Sequence, residues 1–455
     1  MKLTIAWLSL AAVAWAADTS GTSTASVTFH KDVLPIVQAN CQSCHRPGQI
    51  APMSFLNYES TRPWAKAMKA AVISKKMPPW GADPALGHIT NDRSLSAKDI
   101  DTIAKWADSG APAGDAKDAP APFQWDTTGW QIKPDVTMQG PPFDVPAKGL
   151  VEWMWVVVPS PFKEDTWVTS IELRPTNPVV THHMCLAFLP HREGTIYNAP
   201  VWQDKQRDEK GDEIDQREGS AGAAARASGP PPVNTVLGVL AFSNGIEECY
   251  EPGRMPADFR PYHAAKLIKA GSDIAINYHF TPNGTAVEAS VQVGFTVSKE
   301  PPQRRYLAMS MSSPQDHKNF AIPANAANWE SPTADTTFTQ DVELVGMMPH
   351  MHVRGKDMRY ELEYSDGRRE TILSVPRYDF NWQIWYDTSL KVPKGTQLHV
   401  YAHFDNSANN KFNPNPNKTV YYGDMTWDEM MFPSFGVVVE DVTLDQKKVT
   451  NRGVF

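Results

Sequence analysis

The chain is predicted to be multidomain α plus all-β: a short helical unit at the N-terminal end, then a long run of strands forming a sandwich or a pair of sandwiches. Three observations predict this. Apolar residues recur at helical spacing only as far as about residue 114. Beyond residue 122 the period falls to two, with turn residues punctuating the runs. The 38 prolines and 15 tryptophans suit a strand-rich and loop-rich chain better than a helical bundle, and 455 residues leave room for about three domains.

Met1-Lys2 supplies a basic start, Leu3 to Val13 is mostly apolar, and Ala14-Trp15-Ala16 is an A-x-A cleavage pattern, so residues 1–16 read as a signal peptide. The apolar run is too short to span a bilayer comfortably, and no other stretch approaches that length. An exported chain, periplasmic or secreted and without stable membrane insertion, is expected. The net charge of -8 argues against nucleic acid or an anionic membrane as partner.

Residues 17–114 form the helical unit. Lys31 to Val37 leads into Cys41-Gln42-Ser43-Cys44-His45, and Arg62 to Lys76 carries apolar residues at helical spacing. Ser96 caps a last helix, Ala97 to Ser109, with Ile100, Ile103, Ala104 and Ala107 on one side. Two thiols at the C-x-x-C-H spacing can each form a thioether to a haem vinyl group, and the adjoining His45 then falls under the iron. The plainer reading is a redox dithiol or half a zinc site. No second cysteine pair completes a four-cysteine zinc site, however, and no βαβ pattern surrounds this one. Helix, haem motif, loop and closing helix together resemble a single-haem cytochrome c. Its sixth ligand is expected to be a methionine, and Met77 is preferred because Pro78 and Pro79 hold the loop extended. Met53 and Met68 are the alternatives, Met68 reading as core from its helical pattern.

Ala111 to Pro122 is rich in Ala, Pro, Gly and Asp and reads as a linker, taken as 115–134. Strands are then expected at Val151 to Val158, Ile274 to Phe280, Val291 to Val297, Arg359 to Tyr364 and Leu398 to Phe404. They fall into a first sandwich over 135–300 and a second over 301–455. Residues 203–232 are charged, then rich in Gly, Ala and Ser, and read as a mobile surface insertion. Cys185 and Cys249 could form one disulfide, a pairing that a single sequence leaves open.

Histidines and methionines recur through this region at His182-His183-Met184, His279, His350-Met351-His352 and Met430. On a strand, His350 and His352 share a face while Met351 points away, and Gly355 gives room for close approach. Neighbouring His182 and His183 point oppositely on an ideal strand, so both reach one metal only through a twist or bulge. The plain readings are hydrogen-bonded strand histidines for His279 and core fillers for Met430 and Met431. His399 and His403 share a strand face and read as structural.

As a set, these residues resemble the type II copper monooxygenases, the family of peptidylglycine α-hydroxylating and dopamine β-hydroxylating enzymes. Thr181-His182-His183-Met184, Tyr278-His279-Phe280, Pro349-His350-Met351-His352 through Gly355-Lys356, and Asp428-Glu429-Met430 match its four motifs in order, over roughly Val136 to Val439. The resemblance implies two consecutive jelly-roll sandwiches, each holding one copper, facing each other across a solvent-filled cleft. It implies electron-transfer copper on His182, His183 and His279, and dioxygen-binding copper on His350, His352 and Met430. Imidazole serves both copper oxidation states and a thioether favours Cu(I), which argues against zinc at the second site. Peptide-amidating members carry an arginine two positions before the His-x-His pair, and an asparagine and a tyrosine after the methionine. This chain has Met348, Phe432 and Ser434 instead, so the groups that grip a peptide carboxylate are absent.

The expectation is therefore a haem-copper monooxygenase with one covalent haem c and two coppers. It would hydroxylate a C–H bond of a small-molecule substrate with dioxygen, at His350, His352 and Met430. The fused haem would pass on electrons taken from a periplasmic donor. The apolar wall of Met347, Met348 and Phe432 points to a less polar substrate. Two other readings remain open: a non-catalytic electron carrier, and a ligand-binding β module with a redox-sensing cytochrome.

Overall fold

The structure, a computed structural model, describes residues 26–86, 88–125, 129–149, 151, 153–202, 247–423, 426–444 and 448–450. The expected signal peptide and the 203–232 insertion lie outside the described residues. The chain is mostly β, 35% strand against 14% helix, with its strands in several sheets. No helix among the described residues is long and apolar enough to cross a membrane.

Short helices Leu34–Asn40, Tyr58–Thr61, Ala65–Ile73 and Ala97–Asp108 make the N-terminal unit. The last begins where expected, since Ser96 accepts the Asp99 N–H and Asp99 adds a negative charge to the first turn. Its buried side is Ile103, Trp106 and Ala107, packed with Phe29, Val33, Val37, Met68 and Val72. Trp106 was missed because an indole rarely hides completely unless its N–H is satisfied; here it donates to the Pro112 carbonyl at 3.0 Å. That bond also shows the composition-based linker to be tied down. Phe29 and His30 donate to the Pro112 and Ala113 carbonyls, and Glu172 accepts the N–H groups of Gln131 and Ile132 at the far end.

Each half of the β region is two packed layers. In the first, strands Val136–Gln139, Val291–Val297, Thr166–Pro175 and Ala264–Ile268 face Pro200–Trp202, Met154–Pro159, Ser272–Phe280, Thr181–Pro190 and Glu248–Tyr250. In the second, Arg304–Ser310, Ser434–Val439, Val342–Met348 and Tyr386–Val392 face Trp329–Glu330, Gln397–Phe404, Gly355–Glu363 and Arg369–Val375. One sheet runs through both halves, because Arg304 and Arg305 pair in parallel with Ala264 and Ala265. The strands at that joint are therefore covered on both faces. Leu307, Met309 and Val437 fill the second core while Tyr306, Ala308 and Val438 fill the first. Ser434–Val439 reads as a continuous apolar run for the same reason.

Cys185 and Cys249 sit opposite each other on neighbouring strands and are disulfide-bonded. The bond closes a sequence separation of 64. Substituting both cysteines by serine should lower stability by about 4 kcal/mol on the loop-entropy relation. Urea unfolding of the variant against the parent measures it, and an unchanged midpoint would contradict the estimate.

Candidate metal and haem centres

His183 pairs with His279 across the ladder between Thr181–Pro190 and Ser272–Phe280, and the register then slips so that Thr181 pairs with Phe280. His182 is the extra residue, a β-bulge that turns its ring toward that of His183. Nδ1 of His182 lies 3.1 Å from Nδ1 of His183. Ligand nitrogens of His182, His183 and His279 all fall within 4.8 Å of one another, so the three could hold a metal ion. Burial holds His182 down to about 4 and His183 and His279 well below the usual histidine range, so all three are neutral with lone pairs available. The Asn277 side chain bonds to His183. Buried Nε2 of His182 and Nδ1 of His279 have no hydrogen-bond partner. Neutral, convergent, unsatisfied imidazoles are the donor set a transition metal completes.

His350 and His352 lie just beyond Val342–Met348, in the turn that leads to Gly355–Glu363, rather than on a strand. Their rings are 5.5 Å apart and perpendicular. Gln383 Oε1 is 2.9 Å from His350 Nδ1, and the Asp428 carbonyl is 3.3 Å from His352 Nδ1. Those acceptors hold the Nδ1–H tautomers and direct coordination to Nε2. Met351 points the other way, as alternation predicts, into the second core, where the Tyr378 hydroxyl bridges its backbone N–H and carbonyl. Gly355 is needed for a different reason from the expected one. A Cβ there would stand 2.6 Å from the Met351 Cβ and 2.8 Å from the Tyr378 ring, so the missing side chain makes room for those residues and not for a ligand.

The segment carrying Met430 runs alongside this turn. Glu429 accepts the N–H groups of His352 at 2.9 Å and Arg354 at 2.6 Å, and Phe432 N–H donates to the His350 carbonyl. Met431 is wholly buried and its sulfur accepts the Ser331 hydroxyl, which leaves Met430 as the candidate thioether. His399 and His403 face away from the core and bond to Asp335 and Asp357, each at 2.7 Å, outside both sets.

Aromatic rings lie between the two histidine sets. Trp153 lies 5.2 Å from both His183 and His279 and 5.9 Å from His352. Phe380 stacks on His182 at 5.1 Å and is 5.9 Å from His352. The sets thus share the rings of Trp153 and Phe380 as common neighbours. Sequence reasoning missed Trp153, Phe380 and Gln383. Trp153 is hidden in an apolar run, and the other two lie in a loop without a repeating pattern.

In the helical unit Cys41 and Cys44 are half-buried and unpaired. The His45 ring stacks on Phe55 at 4.3 Å, and its buried Nδ1 makes no hydrogen bond. Burial, with Cys44 beside it, pushes the Cys41 thiol up to about 12. Two unpaired thiols one turn apart beside an unsatisfied imidazole nitrogen fit a covalent haem. Met53 sits on the His45 side, its backbone beside the imidazole, and Met68 is buried among the helices. Met77 is half-buried where the chain leaves for the second β half, on which Trp80 packs against Tyr386 at 4.9 Å.

No family model matches this chain, and no curated protein matches it. A solved structure described as "Structure of infectious bursal disease virus Gx strain" aligns over 70% of this chain and 81% of that one, at 7% identity and a TM-score of 0.15, a likeness too slight to support a shared fold.

Proposed function

We propose that the chain is an exported haem-copper monooxygenase that hydroxylates a C–H bond of a small, weakly polar substrate. The carrying observation is the convergence of His182, His183 and His279 beside His350 and His352, with Met430 on the adjoining segment. In this reading the two-layer halves are jelly rolls and the helical unit is a cytochrome c with Met77 as sixth ligand. Copper on the two sets would supply one-electron chemistry toward dioxygen. The protein's own part is to hold the imidazoles of His182, His183, His279 and His350 neutral by burial, fix the tautomers of His350 and His352 through Gln383 and the Asp428 carbonyl, and keep water out with Trp153 and Phe380. Reducing equivalents would come from a periplasmic donor through the haem. Met348 and Phe432 would line the substrate's side, and neither carries a group that would pair with a carboxylate; Met347 is wholly buried in the second core and is not part of that wall.

Elemental analysis beside a pyridine haemochrome spectrum tests the reading. About one haem and two coppers per chain are expected. His279→Ala should lose one copper, and Met430→Ala should weaken the other while Met431→Ala retains both. Haem without stoichiometric copper would sink the proposal.

A further inference from the structure

The haem-bearing turn does not hang free on its tether; it rests on the β region beside the first histidine set. A Cβ placed on Gly253 would stand 3.9 Å from Cys44 Sγ and 3.4 Å from an Arg93 guanidinium nitrogen, and Gly253 has φ +83°. Arg93 donates to the Gly253 carbonyl, clamping the two units together at this point. The segment beginning at Tyr250 leads straight back to the metal residues. Tyr250 pairs with Met184 across the edge of the sheet, Cys249 is bonded to Cys185 next to it, and Met184 adjoins His183. Tyr250 is thus joined to His183 through the strand pairing and the neighbouring disulfide, while Arg93 holds the Gly253 backbone on the side of Cys44.

We propose that the Tyr250–Gly253 turn is the electron entry point from the haem on Cys41 and Cys44 to the metal on His182, His183 and His279. Arg93 and Tyr250 are its positioning residues. This rests on the haem-copper reading above. A haem held by Cys41, Cys44 and His45 would supply one electron at a time to a copper held by His182, His183 and His279, with an external one-electron donor restoring it. Gly253 holds a φ of +83° that an L side chain would strain, so a substitution there would disturb the turn through its backbone and not by a clash with Cys44.

The test is anaerobic stopped-flow on the full-length exported protein, with the haem reduced and copper added as Cu(II), following haem oxidation. The parent should show a first-order phase independent of protein concentration. Arg93→Ala and Gly253→Val should each slow it by about an order of magnitude, as misplacement of a reacting pair does. Arg93→Lys, which can still donate to the carbonyl, should recover part of the rate. Copper content and both reduction potentials should stay unchanged, which separates a lost contact from a damaged site. An unaltered rate in both disruptive variants would overturn the route and leave the metal assignment standing, as would a parent rate proportional to protein concentration. Failure of the His182/His183/His279 set to bind copper would overturn both.

Discussion

Glu429→Ala is expected to lower the stability of the second β half by about 2–6 kcal/mol, from two buried backbone donors left without an acceptor at about 1–3 kcal/mol each. Glu429 is fully buried, and its two oxygens accept the backbone N–H groups of His352 and Arg354. The Arg354 guanidinium, also buried, stands 4.0 Å away. Removing the carboxylate strands two backbone donors and leaves Arg354 to its remaining partners, Asn406 and the Trp427 carbonyl. Burial pushes Glu429 up to about 8, against the pull of Arg354 and the backbone donors. The consequence reaches function because the same carboxylate fixes the turn that carries His350 and His352. Copper at that set should weaken along with the fold. Glu429→Gln keeps one acceptor and should cost less than the alanine variant. Asp101→Ala breaks an exposed ion pair with Lys105 and should change stability by less than about 1 kcal/mol. Urea unfolding of the three variants decides it: a Glu429→Ala midpoint no lower than that of Asp101→Ala would refute the anchoring role.

Much of the architecture was legible because local pattern and burial agree. Val291–Val297 forms over the expected residues, and Ser96 starts its helix as its side chain dictates. What escaped depends on partners distant in sequence. The bulge at His182 arises from the register against Ser272–Phe280, and nothing within Thr181 to Pro190 announces it. The same bulge removes the geometric objection to two neighbouring histidines acting together. The role of Gly355 is set by Met351 and Tyr378, and the sheet shared by both halves by a two-residue parallel contact. The stretch after Ala111 reads as a linker in composition, yet its carbonyls close the helical core, because its partners Phe29, Tyr58 and Trp106 lie far upstream or on the preceding helix.

Trp153→Ala should weaken copper at both histidine sets together, by about 10–100-fold in affinity, the usual cost of removing a group that orients metal ligands. A lone supporting residue would normally affect one site. Trp153 touches His183 and His279 on one side and His352 on the other, so its loss lets both sets relax and admits water between them. Buried imidazoles are kept neutral by the dry surroundings that Trp153 helps to form, and a wetter pocket lets protons compete with the metal. Trp153→Phe preserves an aromatic wall and should retain most of the affinity at both sets. Competitive chelator titration resolves the two coppers. Loss confined to His182, His183 and His279 would mean that the sets are energetically independent despite sharing a wall. Loss at both, reversed by phenylalanine, would mean that one indole sets the environment of both centres.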